Sequence, residues 1–159
     1  MTYDINLILQ KKYAIEILQT VKKREYRDFS DFYIERFFEE CEASDPRAIK
    51  IPLSKHEKKY LRPKKIEKIR FQVGYSKKYF IIECAGWGMF TKQTCRNLTD
   101  FAVNRSYSNE ECEYKGAGKS LHDVVREEYD IEYMPENEPF FIFELGGVLE
   151  DKSELIINS

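Results

Sequence analysis

No pair among Cys41, Cys84, Cys95 and Cys112 has the short spacing of a zinc ribbon, and the two histidines, His56 and His122, stand far apart in the chain. Those spacings exclude the common sequence forms of a metal site, and neither a metal nor a cofactor is expected. The N-terminal segment lacks the apolar region of a signal peptide, and no apolar run approaches the length of a membrane span. The expectation is a cytoplasmic protein without a membrane partner. A triphosphate-binding loop is also missing. Gly116-Ala117-Gly118-Lys119-Ser120 ends like one, but the earlier glycine of the pattern is absent and acidic Glu110, Glu111 and Glu113 replace the apolar strand that should precede it. The glycines read instead as a turn into a helix capped by Ser120, with Asp123 three positions on. No internal repeat or low-complexity tract is present. At 159 residues the default is one compact domain, long enough to bury a core without metal or disulfide staples.

Net charge is small as well, at −2, but the sum conceals a segregation. Residues 47–78 hold twelve Lys or Arg and two Glu, and residues 107–159 hold fourteen Asp or Glu and four Lys or Arg. Such a separation produces either a basic face or neutralisation within the domain.

Aromatic residues are abundant, with 11 Phe and 11 Tyr against a single tryptophan, Trp87. They suit a β-rich structure and can also supply stacking surfaces. Residues 4–9 read as a first strand. Tyr13, Ala14, Ile17, Leu18 and Val21 then recur at helical spacing and predict a helix ending near Thr20, with those side chains as its buried face. Ser30 is an N-cap candidate for a second helix over 28–42, whose aromatic face is Phe29, Phe32, Tyr33, Phe37 and Phe38. Pro46 breaks it. A short edge strand at 49–52 and a short helix at 54–61, capped by Ser54 with Glu57 in the capping-box position, are expected next.

Alternation over 68–73 and the aromatic, β-branched run 79–85 predict two strands around a turn at Gly74. Gly86-Trp87-Gly88 allows a bulge or a close turn, and Trp87 there either packs in the core or closes a base pocket. Residues 101–103 suit a strand, with Asn104, Arg105, Asn109 and Glu110 as possible contacts beyond it. Leu121, Val124, Val125 and Tyr129 give the late helix its apolar side. Residues 140–145 are the terminal strand, followed by a bend at Gly146-Gly147.

The most informative stretch is Thr20-Val21-Lys22-Lys23-Arg24-Glu25-Tyr26-Arg27. If residues 23–27 form a strand, Lys23, Glu25 and Arg27 share one face and Arg24 and Tyr26 the other. Glu25 is then able to orient a neighbouring cation while Lys22 and Arg27 face an anionic ligand. The competing reading is a solvated basic turn with one salt bridge.

The early helix followed by this motif resembles the ASCH family, whose domains have a PUA-like β-barrel. The family signature is a glycine, a lysine two positions on, a glutamate three further and an arginine two beyond. Lys22, Glu25 and Arg27 match the last three, and Thr20 stands at the glycine. Residues 69–73, 79–85 and 118–145 resemble the family's central strands and its closing helix and strand. The resemblance implies an α+β fold, a PUA-like mixed β-barrel with flanking helices, as one domain over 1–159 with a helical and basic insertion at 28–65.

It further implies RNA or nucleotide recognition in a charged cleft. Lys22 and Arg27, with Arg24 beside them, would contact phosphate or a base edge. Glu25 would position a cation or accept a base amine. Separately from the resemblance, Tyr26 or Trp87 is the aromatic residue expected to stack a base. Some small relatives are amidohydrolases acting on acetylated cytidine. In that alternative, Lys22 activates water or stabilises an oxyanion and Glu25 moves a proton. A third reading, from the charge segregation alone, is a non-catalytic protein-interaction module.

Overall fold

The alternation of residues 68–73 turns Ile69, Phe71 and Val73 to one side, where all three are buried. They belong to the second strand of a five-stranded sheet. A computed structural model describes residues 1–51, 54–96 and 121–155, together with the backbone of the pairs Ala102–Val103 and Cys112–Glu113. In chain order the elements are β1 (Ile5–Leu9), α1 (Lys11–Leu18), β2 (Arg24–Asp28), α2 (Asp31–Phe37), β3 (Phe38–Glu40), β4 (Leu61–Pro63), β5 (Lys68–Val73), β6 (Tyr79–Phe90), α3 (Lys92–Arg96), β7 (Ala102–Val103), β8 (Cys112–Glu113), α4 (Leu121–Glu128) and β9 (Phe140–Lys152).

The main sheet runs β1-β5-β6-β9-β2. β1 is parallel to β5, and every other neighbouring pair is antiparallel. The architecture is therefore α+β, with a mixed sheet curled into a half-barrel and few helices. Two small antiparallel ribbons, β3-β4 and β7-β8, flank it.

Both faces of β9 are buried over its first five residues, which is why that part is a nearly continuous apolar run instead of an alternating one. Phe141 and Phe143 join the larger core with Trp87, Phe37, Phe71 and Ile34. Phe140 and Ile142 face the other way, into a second cluster with Tyr26, Leu121, Val125 and Ile131. Trp87 is 0 % exposed and stacks on Phe143, with ring centroids 5.8 Å apart. Burying a side chain of this size contributes about 1.5–3 kcal/mol. Among the described residues no helix is long and apolar enough to cross a membrane.

Several local expectations change. α1 stops at Leu18, and Val21 lies beyond it, 72 % exposed. α2 begins as expected, with the Tyr33 amide donating to Ser30 Oγ at 3.3 Å, but Phe38 has extended backbone and pairs with Pro63, so the chain becomes strand where a longer helix is predicted. Residues 54–59 form turns and bends, with no helix. The short edge strand reduces to one bridge, Ile49 with Leu61. β6 runs on through Gly86-Trp87-Gly88 to Phe90, its register shifts falling between Ile81 and Gly86. β9 likewise continues past Gly146-Gly147. The residues 116–120, Asn104, Arg105, Asn109 and Glu110 lie outside those described.

Within the basic stretch 47–78, several cations are matched by acids. Lys55 pairs with Glu35, Lys59 with Glu40, Arg62 with Glu39 and Asp45, and Lys65 with Glu67. Lys78 alone of these reaches the acidic C-terminal part, at Glu154.

Candidate functional site

Site geometry starts at the end of α1. Thr20 has φ 61°, the left-handed conformation. Its amide donates to the Ile17 carbonyl at 3.0 Å, and the Val21 amide donates to the Glu16 carbonyl at 2.9 Å. These two bonds form a Schellman cap, whose left-handed position most often holds glycine. The cap reverses the chain, and the Lys22 amide also donates to the Glu16 carbonyl at 3.1 Å. Lys22 is thereby fixed two residues ahead of β2.

β2 then alternates. Glu25 and Arg27 lie across from Phe143 and Phe141 and share their face, while Arg24 and Tyr26 lie across from Glu144 and Ile142. Glu25 is 4 % exposed. Its Oε1 accepts from Lys22 Nζ at 3.0 Å and from the Tyr26 amide at 2.9 Å, and Arg27 Nη2 lies 3.5 Å from Oε2. The carboxylate therefore holds both flanking cations in place. Lys22 Nζ also sits 4.9 Å from the Tyr13 ring centroid.

Arg27 does more than face this carboxylate. Nη1 donates to the Tyr33 hydroxyl at 2.8 Å, and Nη2 donates to the Ile8 carbonyl at 2.9 Å. Ile8 is in β1 and Arg27 in β2, the two edge strands of the sheet. One side chain thus ties the open seam of the half-barrel. A cleft of about 360 Å³ lies along that seam, lined by Lys22, Glu25, Arg27, Asp28, Glu128 and the rings of Tyr13, Tyr26, Tyr33 and Tyr129.

Arg24 and Tyr26 act on the α4 side. Arg24 Nε donates to Glu144 at 2.8 Å and its Nη1 to Glu128 at 3.1 Å, while the Tyr26 hydroxyl donates to Glu128 at 2.6 Å. Tyr26 stacks on Tyr129, 5.0 Å between centroids and 7° from parallel. Tyr129 in turn donates to Asp28. Burial, then the Glu128 charge and hydrogen bond, push the Tyr26 phenol far above its ordinary value. Burial and the Asp28 hydrogen bond raise Tyr129 in the same way. Both hydroxyls therefore stay protonated at neutral pH and donate hydrogen bonds to their carboxylates. Burial raises Glu144 too, against the opposing pull of Arg24.

Of the six residues singled out in the sequence, Lys22, Glu25, Tyr26 and Arg27 line one cleft. Arg24 sits beside them, fastened to Glu128 and Glu144. Trp87 does not line it; it is enclosed by Phe37, Phe38 and Phe143 in the larger core. Tyr33, Asp28, Glu128 and Tyr129 are lining residues that the sequence does not single out. They stand outside the Lys-Glu-Arg signature, and only the sheet order brings α2 and α4 to its two ends. Among the described residues no group of three or more His, Cys, Asp or Glu is placed to hold a metal ion.

The arrangement combines fixed donors, carboxylate acceptors and aromatic walls. Its charged lining is two cations against three carboxylates. Such a lining suits a planar, largely uncharged group with both donors and acceptors better than it suits a phosphate. No family model matches the chain, and no curated protein or solved structure was found to be similar to it.

Proposed function

We propose that the seam cleft recognises a nucleobase, in RNA or in a modified nucleoside, and that the chain is an ASCH-like, PUA-like binding domain. One observation carries the reading: Lys22 and Arg27 are held by the buried Glu25 at the rim of a small cleft walled by tyrosine rings. Lys22 is the donor to a base carbonyl or ring nitrogen. Glu25 is a positioning residue, since its oxygens face Lys22, the Tyr26 amide and Arg27. Asp28 and Glu128 are acceptors for an exocyclic amine, and Tyr33 or Tyr129 offers a ring for stacking.

The cap at Thr20 supports the family reading. The signature glycine corresponds to a position that here adopts φ 61°, where glycine is the favoured residue. Recognition is favoured over hydrolysis because Glu25, which the hydrolase alternative needs to move a proton, is engaged by Lys22 and the Tyr26 amide at Oε1 and faces Arg27 at Oε2.

The test is a set of NMR titrations with cytidine, N4-acetylcytidine, adenosine, guanosine and uridine. We expect at least one to shift resonances of residues 22–28 and 129. Lys22→Ala should weaken that ligand about tenfold, equivalent to about 1.4 kcal/mol, with an unchanged fold. Glu25→Gln should weaken it less, since the amide retains the site's shape but loses its hold on the ammonium. Absence of binding by all five at millimolar concentration, or indifference to Lys22→Ala, overturns the proposal. Turnover of acetylcytidine that is lost in both variants replaces it with the hydrolase reading.

A further inference from the structure

The seam cleft does not end at Arg27. On the far side of that residue lies a larger cleft of about 720 Å³, and Ile8, Arg27 and Tyr33 line both. The two are successive parts of one depression crossing the junction of β1, β2 and α2. They differ in charge. The seam cleft has three carboxylates against two cations. In the larger one the cations are Arg27, Arg36 and Lys64, and the carboxylates are Asp4 and Glu35.

Those two carboxylates already have donors. Asp4 Oδ2 accepts from the amides of Glu67 and Lys68 at 2.8 and 2.9 Å, and Glu35 Oε1 faces Lys55 Nζ at 2.5 Å and His56 Nε2 at 3.4 Å. Arg36 and Lys64 have no carboxylate partner among the described residues. Arg36 Nη1 donates to the Phe32 carbonyl at 2.9 Å, and its guanidinium lies 3.3 Å from the Phe32 ring centroid. The potential in this cleft is therefore positive, whereas that in the seam cleft is not.

Exposed rings border the same cleft. Phe32 is 55 % exposed, Tyr3 47 % and Tyr75 93 %. Cations without carboxylate partners, interleaved with solvent-facing aromatic rings, are the chemistry that holds a single-stranded nucleic acid: cations to phosphates, rings to unstacked bases. An acidic peptide would satisfy Arg36 and Lys64 but makes no use of three exposed rings or of continuity with a base-sized cleft.

We infer that the larger cleft is a backbone subsite for single-stranded RNA, in which Arg36 and Lys64 hold phosphates adjacent to the nucleotide whose base enters the seam cleft. The inference rests on the base-recognition reading above and narrows it: the ligand is a nucleotide within a strand, not a free nucleoside. Arg27 stands at the boundary, with its guanidinium fixed by Ile8, Tyr33 and Glu25. Phe32 and Tyr3 are the stacking surfaces for flanking bases. The division of labour is electrostatic. Phosphate is disfavoured beside Glu25, Asp28 and Glu128 and favoured beside Arg36 and Lys64.

The experiment measures fluorescence anisotropy of a fluorescein-labelled single-stranded RNA octamer of mixed sequence, over a range of salt concentrations. Arg36→Gln/Lys64→Gln and Phe32→Ala are compared with the unaltered chain and with Lys22→Ala. Because Arg36 and Phe32 are exposed and Lys64 is half-buried, circular dichroism of each variant accompanies the titration. We expect the double variant to weaken the octamer at least tenfold at low salt. The slope of log K against log salt should fall by about 1.4, at roughly 0.7 for each phosphate no longer neutralised. Phe32→Ala should weaken it several-fold with the slope unchanged. Nucleoside binding in the seam cleft should stay within twofold in both.

Octamer binding unaffected by Arg36→Gln/Lys64→Gln overturns the inference, as does an octamer no tighter than the nucleosides. Capture of a polyglutamate peptide through Arg36 and Lys64, with no octamer binding, overturns it in favour of an acidic protein partner. Octamer binding that depends on Arg36 and Lys64 but is indifferent to Lys22→Ala sustains the backbone subsite and removes the base-recognition reading instead.

Discussion

Thr20 is a β-branched residue in a conformation that costs an L-amino acid roughly 1–2 kcal/mol. The Schellman bonds it completes offset that cost, and they are what delivers Lys22 to the head of β2. Glycine at this position removes the steric cost but adds backbone entropy to the unfolded chain. Thr20→Gly should therefore stabilise the protein by about 0.5–1 kcal/mol in urea unfolding, with Lys22 undisturbed; a loss of stability would show that the hydroxyl has a role the cap does not explain. In the proposed ASCH-like reading Thr20 stands where the signature has glycine, and its φ gives that difference a physical cost. Glu25 and Arg27 are legible for a similar reason, since a period of two assigns them to one face once the strand is recognised. The Arg27 bond to Ile8 is not legible, because it joins strands at opposite edges of the sheet and no local pattern encodes that approach.

At the scale of elements, legibility follows burial. β5 and the start of β9 are buried and carry unambiguous patterns, so their positions are readable. Residues 54–61 carry a capping-box pattern but little apolar surface, and propensity alone rarely sustains so short a helix in water. Ser54 bonds Asp31 of α2, and the segment turns instead. Paired glycines suggest a bend at 146–147, yet the strand runs through them because they permit close approach. A Cβ on Gly146 would lie 2.9 Å from Glu83 Cβ and 3.0 Å from its Oε2. The first contact is with an atom fixed to the β6 backbone, so it is not relieved by a side-chain rotation. Gly146→Ala should destabilise by about 1–3 kcal/mol. Gly147→Ala, whose nearest contact is 3.9 Å, should cost less, and equal losses in the two variants would refute the close-approach account.

For the whole molecule, the second core is closed at the sheet's edge by charged groups, and pH is the variable that probes them. Arg24 binds Glu144 on β9 and Glu128 on α4, so one guanidinium links the sheet to the helix that covers its second face. Glu144 is buried, and its carboxyl is raised above the ordinary 4.5 chiefly by that burial. A carboxyl raised in the folded state binds its proton more tightly there than in the unfolded chain. Its contribution to stability is thus fully present below pH 4.5 and is lost as pH rises through the folded value. Asp45 runs the other way. The Arg47 amide and the Arg62 guanidinium hold it below 3.8, so its contribution is present above that pH and lost as pH falls through the folded value. Glu144→Gln keeps an oxygen able to accept from Arg24 and removes only the titration. Subtracting the melting temperature of the variant from that of the unaltered chain cancels Asp45 and the other surface carboxylates. The difference should be level below pH 4.5 and fall as pH rises toward 7. A difference that is flat from about pH 4 to 7 would mean that Arg24 compensates the buried charge in full, and the link between sheet and α4 would then be an ion pair without a desolvation cost.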